Sequence, residues 1–213
     1  MKYKAYIFDF DYTLGDSTTG IVNSVNYALV KLGYKEKNVC DIRNTIGFSL
    51  ENTYEILTQN TDKKEAEMFS NYFKEKADEI MVNHTQIYPE VESLLMHIKE
   101  NDGKIGIVTT KFHYRIVQIL LKYRLEQYID VIIGAEDVRF AKPNPEGILL
   151  AVKNLNVNEK DILYIGDSLV DANAALNAQV DFAGVLTGMT KRKDFEVFPA
   201  IAIMDNLIGL YNY

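Results

Sequence analysis

The chain opens with a short run of apolar residues that ends in acidic ones. Tyr6, Ile7 and Phe8 are aromatic or β-branched, and such an unbroken run is typical of a strand that is buried on both faces of a parallel sheet. Asp9 and Asp11 follow directly. Residues two apart in an extended chain point to the same side, so we expect both carboxylates to leave the carboxyl end of this strand together.

Between residues 16 and 85 the hydrophobic pattern is helical. From Thr18 onward, apolar residues recur at spacings of three and four, and Gly33 stands where a glycine commonly ends a helix. Asp62 and Glu65 resemble a capping box at the start of a longer helix. The pattern predicts four helical segments with no strand among them, which indicates a small helical bundle.

From Pro89 the pattern changes to alternating helices and strands. Short apolar strands are predicted at residues 105–108, 131–133, 162–166 and 182–186, with a last one at 201–204. This alternation is typical of an α/β fold with a doubly wound, parallel, Rossmann-like sheet.

The two patterns together predict the domain organisation. Residues 1–15 and 86–213 form the α/β catalytic core, and residues 16–85 form a helical cap inserted after the first strand. The connections near Gly15 and Thr85 are expected to let the cap swing as a lid.

Composition narrows the possible partners. The 213 residues carry a net charge of -7, which argues against nucleic acid but not against a small anionic substrate. No apolar run approaches the ~20 residues of a membrane helix, and a signal-peptide pattern is missing. We expect no membrane partner and a cytoplasmic location.

The single Cys40 agrees with a reducing compartment, and we expect it to be a small buried hydrophobe. The oligomeric state is not predicted.

Polar residues follow several of the predicted strands. Thr109 ends the strand at 105–108, Lys142 lies in a later loop, and Asp167 ends the strand at 162–166. The carboxyl ends of parallel strands meet at one edge of the sheet, where open α/β sheets bind their ligands. Each residue alone is ordinary, but together with Asp9 and Asp11 they predict one site. The two like charges there need a cation or a proton between them.

These segments resemble four motifs of the haloacid dehalogenase-like (HAD) phosphohydrolases. The first motif, usually Asp-X-Asp-Gly-Thr-Leu, matches the stretch Asp9-Phe10-Asp11-Tyr12-Thr13-Leu14. The others match Ile107-Val108-Thr109, Phe140-Ala141-Lys142-Pro143 and Gly166-Asp167-Ser168-Leu169-Val170-Asp171. Tyr12 replaces the usual glycine. It could narrow the leaving-group pocket or pack against the cap, and we expect packing.

The resemblance implies a phosphatase that works through an aspartyl-phosphate. Asp9 would attack phosphorus. Asp11 would protonate the leaving oxygen and then take a proton from the hydrolytic water. Lys142 would neutralise charge, and the Thr109 hydroxyl would orient the phosphoryl oxygens.

The same resemblance implies a Mg²⁺ cofactor. Its ligands would be Asp9, Asp167 and the main-chain carbonyl of Asp11, with Asp171 as a ligand or as a group that supports the ligands.

Substrate selection is expected to fall to the cap. Its first loop, Gly47-Phe48-Ser49, would contact the leaving group, and Thr110 would contribute from the core. Phe48 could equally pack inside the bundle.

The branch of the family follows from two features. Asp11 argues against the dehalogenase and phosphonatase branches, which lack this acid. The absence of an arginine soon after Gly47 argues against the β-phosphoglucomutase branch. The chain resembles the phosphoglycolate phosphatase and pyrophosphatase branch, so we expect a small phosphorylated metabolite as substrate. A sugar-phosphate mutase and a catalytically silent binding protein on this fold remain alternatives.

Overall fold

A computed structural model describes residues 2–213 of the protein. The chain falls into two compact units, one of which contains the residues up to Asp16 together with Ile87–Tyr213. The other is Ser17–Gln86. We call them the α/β unit and the helical unit. Among the described residues, no helix combines the length and the apolar character that crossing a membrane requires.

Strands and helices alternate along most of the chain. The strands are β1 (Ala5–Phe8), β2 (Gly15–Asp16), β3 (Gln86–Ile87), β4 (Lys104–Val108), β5 (Val131–Ile133), β6 (Ile162–Gly166), β7 (Asp181–Val185) and β8 (Ala200–Met204). The helices are α1 (Thr18–Lys31), α2 (Val39–Arg43), α3 (Leu50–Thr58), α4 (Lys63–Ile80), α5 (Val91–Glu100), α6 (His113–Tyr123), α7 (Glu146–Leu155), α8 (Leu169–Ala178) and α9 (Arg192–Phe195).

The main sheet has six strands in the order β5-β4-β1-β6-β7-β8. Every pairing in it is parallel, so the predicted doubly wound α/β fold is confirmed. β1 lies inside the sheet between β4 and β6. Its apolar run is fully buried, which is why it carries no alternation of polar and apolar residues. β2 and β3 form a separate two-stranded sheet.

The helical unit contains α1 to α4, as the hydrophobic spacing predicts. Its core gathers one apolar face from each helix, represented by Leu29, Ile42, Tyr54 and Phe69. Gly33 follows α1 with a φ of 86°, the left-handed conformation that glycine adopts without strain.

Cys40 lies on the five-residue helix α2, and its side chain is exposed. The expectation of a buried cysteine was wrong. Ile42 is the buried residue of this helix, because one turn of helix presents only a narrow face to the core.

The start of α4 differs from the predicted capping box. The Asp62 side chain accepts hydrogen bonds from the N–H of Glu65 and of the residue before it, as a capping residue does. Glu65 does not return the bond. Its Oε2 accepts from the Tyr34 hydroxyl at 2.8 Å, the Asn60 amide at 2.8 Å and the Tyr54 hydroxyl. That half of the prediction was wrong because three donors inside the unit converge on this carboxylate.

We predict that Glu65→Ala destabilises the protein by about 1–3 kcal/mol, because it leaves the buried Tyr54 hydroxyl and its neighbours without their shared acceptor. Urea unfolding measured by circular dichroism tests this. Glu67→Ala, at an exposed position of the same helix, is the control. A loss as small as that of the control would contradict the role assigned to Glu65.

Candidate active site

Asp9 is held at the carboxyl end of the central strand. Its N–H donates to the carbonyl of Ile165 at 2.8 Å, which extends the pairing of β1 with β6 by one residue. The residue is 3% exposed. The sheet therefore fixes the position of the backbone, and burial shields the side chain from water.

Hydrogen bonds to one shared carbonyl oxygen hold the loop after Asp9. The oxygen of Phe10 accepts from the N–H groups of Leu14 and Gly15, at 2.9 and 3.1 Å. Tyr12 lies within this loop with a φ of 61° and a buried side chain. A positive φ favours glycine, which explains the residue usual at this position in the resembling family. The Tyr12 carbonyl is fixed by the hydroxyl of Thr187, which donates to it.

The ammonium of Lys142 contacts three polar side chains, one of which is Asp9. Its Nζ lies 2.9 Å from Oδ1 of Asp9 and 2.6 Å from Oδ1 of Asp171, and it donates to the Tyr164 hydroxyl at 3.2 Å. Burial alone would lower the pKa of Lys142, but the Asp171 and Asp9 carboxylates raise it well above its usual value. The side chain is therefore an ammonium at neutral pH.

Both oxygens of Asp171 have partners inside the protein. Oδ1 contacts Lys142 and accepts from the Tyr164 hydroxyl at 3.0 Å. Oδ2 accepts from the N–H and the hydroxyl of Ser168 in a capping box at the start of α8. Gly166 permits this approach, since a Cβ there would lie 2.4 Å from the Cβ of Asp171. Of the two roles predicted for Asp171, this bonding favours support of the ligands.

Three carboxylates form a tight acidic cluster. One oxygen each from Asp9, Asp167 and Asp171 lies within 4.8 Å of the others. Burial raises the pKa of Asp9 to about 7, with Lys142 opposing the rise and Asp171 adding to it. Burial, and then the Asp171 and Asp9 carboxylates, raise the pKa of Asp167 well above its usual value. The cluster carries more negative charge than one ammonium can balance.

Asp11 lies outside this cluster and pairs with a second lysine. Its Oδ2 is 3.0 Å from Nζ of Lys111, and both side chains are almost fully buried. The other oxygen, Oδ1, is buried and accepts no hydrogen bond from residues 2–213. Thr109 is also buried, and its Oγ1 accepts from the N–H of Lys111 at 3.2 Å. The predicted part of Asp11 as a metal ligand concerns its main-chain carbonyl and stays a prediction.

The residues predicted to bind substrate lie in both units. Thr110 is partly buried and lines a cavity with Thr109 and Lys142 in the α/β unit. Gly47, Phe48 and Ser49 belong to the helical unit, where Gly47 has a φ of 100° and Phe48 is partly exposed. The Ser49 hydroxyl accepts from the N–H of Asn52 and caps α3. Their predicted contact with the leaving group stays a prediction.

Sequence reasoning missed three residues that shape the site. Tyr164 lies within the predicted strand at 162–166, where a hydroxyl in an otherwise apolar run is a usable signal. Lys111 follows Thr109 and Thr110 in sequence, a stretch that fits the phosphatase branch without assigning this lysine a role. Gly188 gave no signal. A Cβ at Gly188 would lie 1.8 Å from Oδ2 of Asp167, so the absence of a side chain there makes room for that carboxylate.

The family model for haloacid dehalogenase-like hydrolases matches residues 6–185. The chain belongs to this family. The matched segment contains the acidic cluster and both lysines, so the predicted family is confirmed.

Named relatives place this HAD hydrolase in the phosphatase branch. Pyrophosphatase PpaX of Listeria monocytogenes is 32% identical over 86% of this chain and 83% of its own. Phosphoglycolate phosphatase of Psychrobacter arcticus is 27% identical over 100% of this chain and 96% of its own. A solved haloacid dehalogenase-like hydrolase from Bacteroides fragilis is 41% identical, covers 98% of this chain and 100% of its own, and superposes with a TM-score of 0.95. The HAD hydrolase described here is accordingly a phosphatase.

We predict that Asp167→Asn stabilises the metal-free protein at pH 8. A carboxyl whose folded-state pKa is raised binds its proton more tightly in the folded chain, so folding loses stability as the pH rises toward that pKa. Removing one buried charge should add about 1 kcal/mol, or about 2–4 °C in Tm for a chain of this size. The gain should shrink at pH 5.5.

Thermal unfolding in EDTA at both pH values measures this effect. Glu159→Gln, at an exposed position, is the control. A lower Tm than the wild type at pH 8 would show that the cluster is not under charge repulsion.

Proposed function

We propose that this HAD phosphatase is Mg²⁺-dependent and hydrolyses a small phosphorylated metabolite through an aspartyl-phosphate on Asp9. The observation that carries the proposal is the Asp9 carboxylate at the end of the central strand, 2.9 Å from the Lys142 ammonium and within 4.8 Å of an oxygen of each of two further carboxylates. The names of the relatives, a pyrophosphatase and a phosphoglycolate phosphatase, support a small substrate.

The residues of the acidic cluster suit a magnesium ion. Three carboxylates within 4.8 Å offer hard oxygen ligands. Burial, with a further contribution from the neighbouring carboxylates, raises the pKa of Asp9 and Asp167, and a divalent cation would stabilise their ionised forms. Asp9 and Asp167 would hold the ion together with the Asp11 carbonyl. Bound there, Mg²⁺ supplies electrostatic stabilisation to the phosphoryl oxygens.

The chemistry of the first half-reaction rests on Asp9 and Asp11. A carboxylate oxygen of Asp9 forms a bond to phosphorus while the bond from phosphorus to the leaving oxygen breaks. The leaving oxygen takes a proton from Asp11, whose Oδ1 has no hydrogen-bond partner among residues 2–213. Lys142, 2.9 Å from Asp9, balances the charge that the attacking carboxylate brings to the phosphoryl group.

The second half-reaction returns the enzyme to its starting state. Water attacks phosphorus, Asp11 accepts the proton of that water, and the bond between Asp9 and phosphorus breaks to release phosphate. Asp171 and Tyr164 keep Lys142 in place throughout, since both contact it directly. The Thr109 hydroxyl, which follows β4 beside β1, orients the phosphoryl oxygens.

The helical unit is proposed to act as a substrate-selecting cap. Its separation as a compact unit of contiguous sequence supports this. The loop Gly47-Phe48-Ser49 is the part that we expect to contact the leaving group. Because Ser49 caps α3, a change at Ser49 would also affect helix stability, and Phe48 is the cleaner position to test. A cytoplasmic location remains our expectation.

We predict that Asp9→Asn lowers kcat by at least ~10³, equivalent to about 4 kcal/mol, while the fold is retained. The amide is nearly the same shape as the carboxylate but is not a nucleophile. Phosphate release from p-nitrophenyl phosphate and circular dichroism measure the two parts. Asp102→Asn, in an exposed turn, is the matched control. More than a tenth of wild-type activity in the folded variant would exclude Asp9 as the nucleophile.

We predict that turnover requires a divalent cation. Excess EDTA should abolish it, and added Mg²⁺ should restore it. Ca²⁺ should inhibit, because it prefers more ligands at longer distances than Mg²⁺. Calorimetric titration of Mg²⁺ into the wild type and Asp167→Asn adds a readout that does not depend on activity. Full activity in EDTA would refute the metal requirement.

A further inference from the structure

Lys111 is a buried cation that the reaction described above does not use. It lies in the loop between β4 and α6, and its side chain is 4% exposed. Two backbone hydrogen bonds fix the residue: its N–H donates to Thr109 Oγ1 at 3.2 Å, and its carbonyl accepts from the N–H of Ala135 at 3.0 Å. The loop therefore fixes the backbone of Lys111, and burial together with the contact to Asp11 keeps its ammonium out of solvent.

The two lysines of the site differ in how many of their N–H donors are engaged. Lys142 donates to Asp9, Asp171 and Tyr164, which accounts for all three of its donors. Among residues 2–213, Asp11 is the acidic group within salt-bridge distance of Lys111. An ammonium has three donors, so Lys111 retains capacity to bind a further anion.

The position of Lys111 determines which part of a bound substrate its ammonium would contact. In the proposed reaction Asp9 takes the phosphoryl group, and Asp11 gives its proton to the leaving oxygen. Lys111 contacts Asp11 at 3.0 Å and not Asp9. Its ammonium therefore lies on the leaving-group side, one contact away from the oxygen that departs.

The surroundings of Lys111 favour an anion there. Its side chain is shielded from water, and the ring of Phe10 lies 6.0 Å from Nζ. Electrostatic attraction is strong where water is excluded. A neutral leaving group such as a sugar would leave the spare donors of this buried ammonium without partners, which is unfavourable.

We propose that Lys111 binds an anionic group on the leaving group, so that the enzyme prefers phosphate compounds whose leaving group carries a carboxylate or a second phosphate. This inference rests on the proposed phosphatase function and narrows its substrate class. Lys111 thus acts as a specificity-determining residue, separate from the phosphoryl-binding Lys142.

A matched pair of substrates tests the proposal. Phosphoglycolate and hydroxyethyl phosphate have leaving groups of similar length, one anionic and one neutral, and pyrophosphate provides a second anionic case. For the wild type we expect kcat/KM to be at least about 10-fold higher for the anionic compounds. Lys111→Met should reduce that preference by about 10-fold or more, whereas Lys111→Arg, which keeps the charge, should preserve most of it.

The selectivity ratio separates recognition from a purely structural role. If Lys111 only positioned Asp11, Lys111→Met would slow all three substrates equally, and that result overturns the proposal. Lys153→Met, which removes an exposed lysine of α7, is the control and should leave the ratio unchanged. Circular dichroism and Tm verify that each variant is folded.

The wild type decides the question even if Lys111→Met fails to fold. A kcat/KM ratio near one for the matched pair overturns the proposal while leaving the phosphatase function intact. A ratio of about 10 or more that Lys111→Arg preserves supports it. Failure of the wild type to release phosphate from any of the three compounds overturns the proposed function and this inference together.

Discussion

The buried ammonium of Lys142 is the contact on which the site depends. It lies 2.9 Å from Asp9 and 2.6 Å from Asp171, all three almost without exposure to solvent. Removing one member of such a buried ionic group leaves an uncompensated charge, which costs far more than the intact group contributes to stability. The sheet, the start of α8 and the loop that carries Lys142 must therefore adopt one arrangement together. The same constraint holds the Asp9 carboxylate in one position before any substrate arrives.

Several parts of this arrangement follow directly from the sequence. The unbroken apolar run of β1 predicts a central parallel strand, and the acids after it predict a site at its carboxyl end. The positions of Asp9 and Asp167 after predicted strands, and of Lys142 in a following loop, predict that these three residues meet at one site. What could not be predicted are contacts set by tertiary approach. Glu65 fits a capping motif, but its carboxylate accepts instead from Tyr34, Tyr54 and Asn60, which lie outside α4. Gly188 has no local signature, because its importance lies in the space it leaves for Asp167.

The acidic residues of the site lie in two separate ionic environments. The Asp9, Asp167 and Asp171 carboxylates crowd within 4.8 Å, whereas Asp11 is set apart with its own lysine. Burial, and after it the neighbouring carboxylates, raise the pKa of Asp9 and Asp167, which disfavours the folded state as the pH rises. A cation bound at the cluster would recover this loss, as ligand binding generally stabilises a folded state.

The insertion of the helical unit after β1 also affects how the protein is made. Synthesis produces β1 before its partners β4 and β6, which begin at Lys104 and Ile162. The apolar segment that ends at Asp9 therefore emerges with both edges unpaired, and Ser17–Gln86 is the contiguous compact unit that follows it. The entropic cost of closing the long connection grows only slowly with its length. During translation, exposure of an unpaired apolar strand to chaperones and to neighbouring nascent chains is the consequence of inserting the helical unit there.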